Sequence, residues 1–107
     1  MSENFNKLTP EQTEALSILA EECAEVVQAV TKILRHGLSG HIPDNPACGV
    51  YDNLSALKIE LADTVAAATV VSHVFELSAT DMDNRVDDKL SILRNWTHHI
   101  DWSKIDD

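Results

Sequence analysis

An all-α helical bundle is the fold class this sequence predicts, from three observations. Apolar residues recur every three to four positions over long stretches, helix start and stop residues sit where those stretches begin and end, and no segment alternates with the period of two that a strand requires. At 107 residues and 11.8 kDa the chain has the size of one domain. Apolar types make up 44% and charged types 24%, as in folded soluble proteins and unlike disordered or disulfide-framework chains.

The first helix is expected over about residues 10–35. Thr9 is placed to cap it, Pro10 suits its first turn and Gln12 can close a capping box. Leu16, Leu19, Ala20, Cys23, Val26, Val27, Val30 and Leu34 form its apolar face, with Cys23 read as a core residue, and Gly37 is the stop. Residues 36–53 hold all three Gly and two of the three Pro, predicting a long loop, functional or mobile. A second helix is expected over about 54–77, capped by Asp52 or Asn53. A third is expected over about 81–98, with Met82, Val86, Leu90 and Leu93 as its buried stripe. The second helix is apolar almost all round, which calls for enclosure on every side; three helices per chain cannot supply that, so a homo-oligomer, dimer or tetramer, is expected.

Eight Lys and Arg against 18 Asp and Glu give 8 − 18 = −10. Such a balance argues against a nucleic acid polymer as partner, because that grip uses cations on phosphates. A small phosphorylated ligand remains compatible if a divalent metal supplies the positive charge. The apolar run 61–77 is interrupted by Asp63, Thr64, Thr69, Ser72, His73 and Glu76, so no membrane span is expected. The opening Met-Ser-Glu-Asn-Phe carries neither a basic leader nor an apolar core, and a cytoplasmic address is expected. Cys23 and Cys48 lack the spacing of a zinc ribbon or redox pair and are expected as free thiols.

The acids are placed unusually. At 100° per residue, Glu22 and Glu25 share a face of the first helix, and Glu22 falls among Ala15, Ile18, Ala29 and Ile33. Glu60 and Asp63 repeat the spacing on the second helix, beside Ala67, Val70, Val71 and Val74. Two helices thus carry acid pairs where binary patterning demands hydrophobes. Crowded, partly buried carboxylates repel one another and lose hydration, and few bases are at hand to offset this. A hard divalent cation would do so: oxygen ligands favour Mg²⁺, with Mn²⁺ as substitute, over zinc.

Glu21-Glu22-Cys23-Ala24-Glu25 followed by Glu60-Leu61-Ala62-Asp63 resembles the Glu-Glu-x-x-Glu and Glu-x-x-Asp signature of the MazG-like all-α nucleoside triphosphate pyrophosphohydrolases. The likeness spans about residues 14–77, and the Gly- and Pro-containing loop after Arg35 is similar to phage-type members. It implies Mg²⁺-dependent hydrolysis of an NTP or dNTP to the monophosphate and pyrophosphate. Glu22, Glu25, Glu60 and Asp63 would hold the metal, with Glu21 assisting a second ion or orienting water. The family often adds Lys and Asn on a later helix; Lys89 and Asn95 stand there at a different spacing.

Other candidates have plainer readings beside them. Lys32 and Arg35 either contact phosphates or are solvated charges near a helix end, and Lys58 is similar. His36, His41, Tyr51 and Asn53 either face a base or ribose or belong to a connector. His73 reads as structural, and Trp96 and Trp102, with His98 and His99, as a tail folded back on the bundle. Two rival functions share the acidic helices. A non-enzymatic module contacting a basic partner explains the charge but not its position on apolar arcs. A carboxylate-bridged redox metal protein calls for Glu-x-x-His, whereas Ile33, Leu38, Val70, Asn95 and Trp96 stand three positions before the five histidines.

Overall fold

The computed structural model describes residues 5–39 and 52–106, so Cys48, His41 and Tyr51 lie outside the described residues. Among the described residues there are three α-helices, α1 (Pro10–His36), α2 (Asn53–Val74) and α3 (Ala79–Trp96), and a short 3-10 turn, Trp102–Lys104. No strand occurs among the described residues, and the chain is an all-α fold. None of these helices is long and apolar enough to cross a membrane.

The chain divides into two compact units, Met1–Phe75 and Glu76–Asp107. The first is an α1/α2 hairpin. Thr9 accepts from the backbone N–H of Gln12 at 3.1 Å while the Gln12 side chain accepts from the Thr9 N–H at 3.0 Å, completing the capping box. Gly37 ends α1 at φ 82°, ψ 179°, its N–H bonded to the Ile33 carbonyl at 2.8 Å. A side chain strongly disfavours that backbone, so glycine is required there. The Asn53 backbone N–H reaches the Leu38 carbonyl at 2.9 Å, and its side-chain amide donates to the Gly37 carbonyl at 3.0 Å. Asn53 therefore braces the point where the chain leaves α1 and enters α2, in keeping with the connector alternative of its two readings. Asp52, the N-cap, accepts from the Ser55 N–H at 2.7 Å.

The hairpin is antiparallel and its seam is built from small residues. Ala15, Ala29 and Ala67 are the buried hydrophobic residues of the described chain, with Leu19, Val26, Ile33, Leu57, Thr64 and Val71 half-buried around them. Small side chains let two helices approach closely, and the Thr64 hydroxyl marks that approach. It donates to the Glu60 carbonyl of its own helix at 2.8 Å and lies 3.3 Å from the Glu22 carbonyl of α1. One expectation fails here. Cys23 is exposed, because the seam runs through 15, 19, 22, 26, 29 and 33, and Cys23 lies about 80° around the helix from Ala15. α2 is not enclosed within the chain, as expected of three helices: Val65, Leu61 and Val70 stay exposed, since one neighbouring helix covers one side of a cylinder.

α2 stops at Val74, not near 77, where Phe75 leads into Glu76 at φ 53°. In the second unit Ser78 caps α3 by accepting from the Asp81 N–H at 3.1 Å, so the helix begins two residues earlier than expected. Leu90 and Leu93 are half-buried, whereas Met82 and Val86 remain exposed and no α3 residue is buried. The tail folds back on the end of α3. The Trp102 indole N–H donates to the Thr97 hydroxyl at 2.9 Å, Arg94 lies 5.3 Å from the Trp102 ring centroid, and Arg94 also pairs with Asp106. Trp96 takes no part in this clasp and is 77% exposed.

Candidate metal centre

α1 and α2 cross where their acids are. Glu22 occupies a seam position of α1, with Ala15 and Leu19 before it and Val26 and Ala29 after. Glu25, three residues on, stands at the seam's edge. Glu60 occupies the matching seam position of α2, one turn before Thr64. The antiparallel hairpin brings the three together: Glu22, Glu25 and Glu60 are all half-buried, and one carboxylate oxygen from each lies within 4.8 Å of the others. Among the described residues no histidine or cysteine joins them.

The environment of the trio is electrostatically unfavourable to three negative charges. The Glu22 carboxyl is pushed above its ordinary value of 4.5, first by burial and then by the charges of Glu25, Asp63 and Glu21. Glu60 is also pushed above 4.5, first by its hydrogen bond with Glu25, which needs a proton, and then by burial and the charges of Glu25, Asp63 and Glu22. One oxygen of each group, Glu22 Oε2 and Glu60 Oε2, is shut off from solvent and has no hydrogen-bond partner. Buried acceptors are normally satisfied, so two orphans within one cluster require an explanation.

The donor set fits a hard divalent cation. All three donors are carboxylate oxygens, the ligand type of Mg²⁺ and Mn²⁺. Donors about 2.1 Å from an octahedral ion stand at most about 4.2 Å apart. The observed limit of 4.8 Å is thus within small side-chain rotations of that arrangement. Three carboxylates alone would not fill an octahedral shell, so water or phosphate oxygens could complete it.

The other expected residues fall in different places. Asp63 is exposed and outside the trio, yet close enough for its charge to act on both Glu22 and Glu60. Glu21 is exposed and acts on Glu22 through its charge. Lys32 and Arg35 are exposed; Lys32 lies two turns beyond Glu25 on the same face, about 10 Å along the axis, while Arg35 is rotated well away. Lys58 is misplaced for this role. It is about 160° around α2 from Glu60, and its charge acts instead on Asp52, whose carboxyl is held below 3.8 chiefly by hydrogen bonds with Ser55. Lys89 is exposed on α3, in the other unit. His36 and His73 are exposed in the last turns of α1 and α2.

Thr64 is the residue that sequence reasoning passed over. A threonine one turn from Glu60 carries no metal-ligand signal, but its small hydroxyl lets the two acid-bearing segments meet. Comparison with protein-family models, curated proteins and solved structures returns no match for this chain.

Proposed function

We propose that the chain is a Mg²⁺-dependent nucleoside triphosphate pyrophosphohydrolase, related to the MazG-like enzymes that its two acid motifs resemble. The observation that carries this reading is the pair of solvent-excluded, unpartnered oxygens on Glu22 and Glu60 beside Glu25. A purely structural seam is not expected to retain three carboxylates where its neighbours are alanines and valines.

In this reading Glu22, Glu25 and Glu60 would hold the ion, and Asp63 would complete the shell from the rim. Such an ion, when bound, would neutralise charge on phosphate oxygens and make water a better nucleophile. The chain's own contribution is to preorganise the negative oxygens across two helices, so that little rearrangement is needed when the cation arrives. Lys32, on the same face, is suited to meet a phosphate group farther along the substrate. Water attack at the α phosphorus breaks the α–β phosphoanhydride bond and releases monophosphate and pyrophosphate. No side chain need form a covalent intermediate.

The direct test is release of pyrophosphate from a panel of ribo- and deoxyribonucleoside triphosphates, with Mg²⁺, with Mn²⁺ and with chelator. Metal-dependent pyrophosphate and monophosphate in equal amounts are expected from at least one nucleotide. Release of orthophosphate alone, or no turnover across the panel with either metal, would overturn the assignment.

A further inference from the structure

Polar residues meet in the middle of the α1/α2 seam. Glu22 lies between Leu19 and Val26 on α1, Glu60 and Thr64 lie between Leu57 and Ala67 on α2, and all three are half-buried. The Thr64 hydroxyl reaches two backbone carbonyls, that of Glu60 at 2.8 Å and that of Glu22 at 3.3 Å. These belong to the same two residues whose carboxylates each keep one oxygen out of water without a partner. A hydroxyl has a single proton, so the two carbonyls share it in a three-centre bond, the nearer one taking the larger part.

The shared bond matters because of what the rest of the seam lacks. Apolar contacts are non-directional, so alanines and valines set how far apart the helices lie more firmly than they set register. A hydrogen bond is directional, and this one spans the helices at the level of the acids. The site also has little slack. Its donor oxygens stand up to 4.8 Å apart, already past the limit of about 4.2 Å for ligands of one octahedral Mg²⁺. A slip of about 1.5 Å, the rise of one residue, is more than side-chain rotation can easily recover.

We infer that Thr64 is a positioning residue of the carboxylate site. Its hydroxyl, by polarity and not by size alone, holds the backbones of Glu22 and Glu60 in the register that lets their carboxylates converge with Glu25 on one cation. The inference rests on the reading of that trio as a divalent cation site. The γ-methyl of Thr64 adds only apolar bulk to the seam, so substitution can separate the two parts of the side chain. Thr64→Val keeps the bulk and removes the hydroxyl; Thr64→Ser keeps the hydroxyl and removes the methyl.

The test titrates the full chain with Mn²⁺ alone and follows the free ion by electron paramagnetic resonance. Wild type is expected to bind. Thr64→Val should raise Kd about 3- to 10-fold, the worth of one hydrogen bond. Thr64→Ser should stay within about twofold of wild type although urea denaturation finds it the less stable variant, because it has lost a half-buried methyl. A merely structural residue gives the reverse order, affinity following stability. In the metal-free protein the carbonyl carbon resonance of Glu22 should move in Thr64→Val and hold in Thr64→Ser. Circular dichroism reports whether Thr64→Val folds; if it does not, Thr64→Ala against Thr64→Ser makes the same comparison. Unchanged Mn²⁺ affinity in Thr64→Val, equal losses in both variants, or an unmoved Glu22 resonance would overturn the role of Thr64 and leave the cation reading standing. Absence of Mn²⁺ binding by wild type would overturn the cation reading, and this inference with it.

Discussion

Glu22 and Glu60 each hold one oxygen out of water with no donor to meet it, a cost that a bound cation or a proton can offset. The two alternatives separate by pH. In the metal-free protein both carboxyls sit above 4.5, so the native state holds its protons more tightly than the unfolded chain. Their contribution to stability is fully present below about pH 4.5 and is lost as pH rises through the elevated native values. The stability of wild type minus Glu22→Gln, followed by urea denaturation in chelator, should therefore fall across that window; a flat difference would show that Glu22 is not strained. At neutral pH without metal, Glu22→Gln is expected to raise Tm. It should also lower kcat/KM by about 10²- to 10³-fold if the carboxylate supports catalysis, the range found for key electrostatic groups. Asp63→Asn should lower turnover likewise, and undiminished activity would remove that residue from the metal shell.

At the scale of the helices, the site depends on how closely α1 approaches α2. Ala67 is 3% exposed in the seam, so Ala67→Leu forces extra methylenes between the helices and should cost about 1–3 kcal/mol, measured by chemical denaturation. It should also spread the acid trio and weaken metal binding, which links packing to function. Gly37→Ala tests the hairpin's end: at φ 82°, ψ 179° a Cβ meets no neighbouring atom, so any loss, about 1–3 kcal/mol, reports backbone strain alone. The same seam geometry explains Cys23. Its stripe is as periodic as the buried one, and nothing in a helical wheel says which of two apolar stripes on one helix meets the neighbour.

For the molecule as a whole, metal binding and folding are linked if the native hairpin alone gathers the trio. Mg²⁺ should then raise Tm by an amount that grows with the logarithm of its concentration, reaching about 2.7 kcal/mol of stabilisation at a hundredfold excess over Kd. The shift should disappear in Glu60→Gln. Calorimetric scans at several Mg²⁺ concentrations check this, and an unchanged Tm in wild type would count against a built cation site. Added neutral salt at the same ionic strength serves as control, because a chain of charge −10 also gains from general screening.

The helices, their caps and the pairing of acids at three-residue spacing were legible in the sequence, because each is a local property. Thr9, Gln12, Gly37 and Asp52 act on backbone groups within a few residues, and Glu22 with Glu25, or Glu60 with Asp63, share a face by helical pitch alone. What only the tertiary structure decided is which residues meet across the seam. The register that joins Glu22 to Glu60 through Thr64, leaves Asp63 at the rim, turns Lys58 away and bares Cys23 follows from how closely the small residues let α1 and α2 pack. That is a property of two surfaces, and neither surface reveals its partner by its own periodicity.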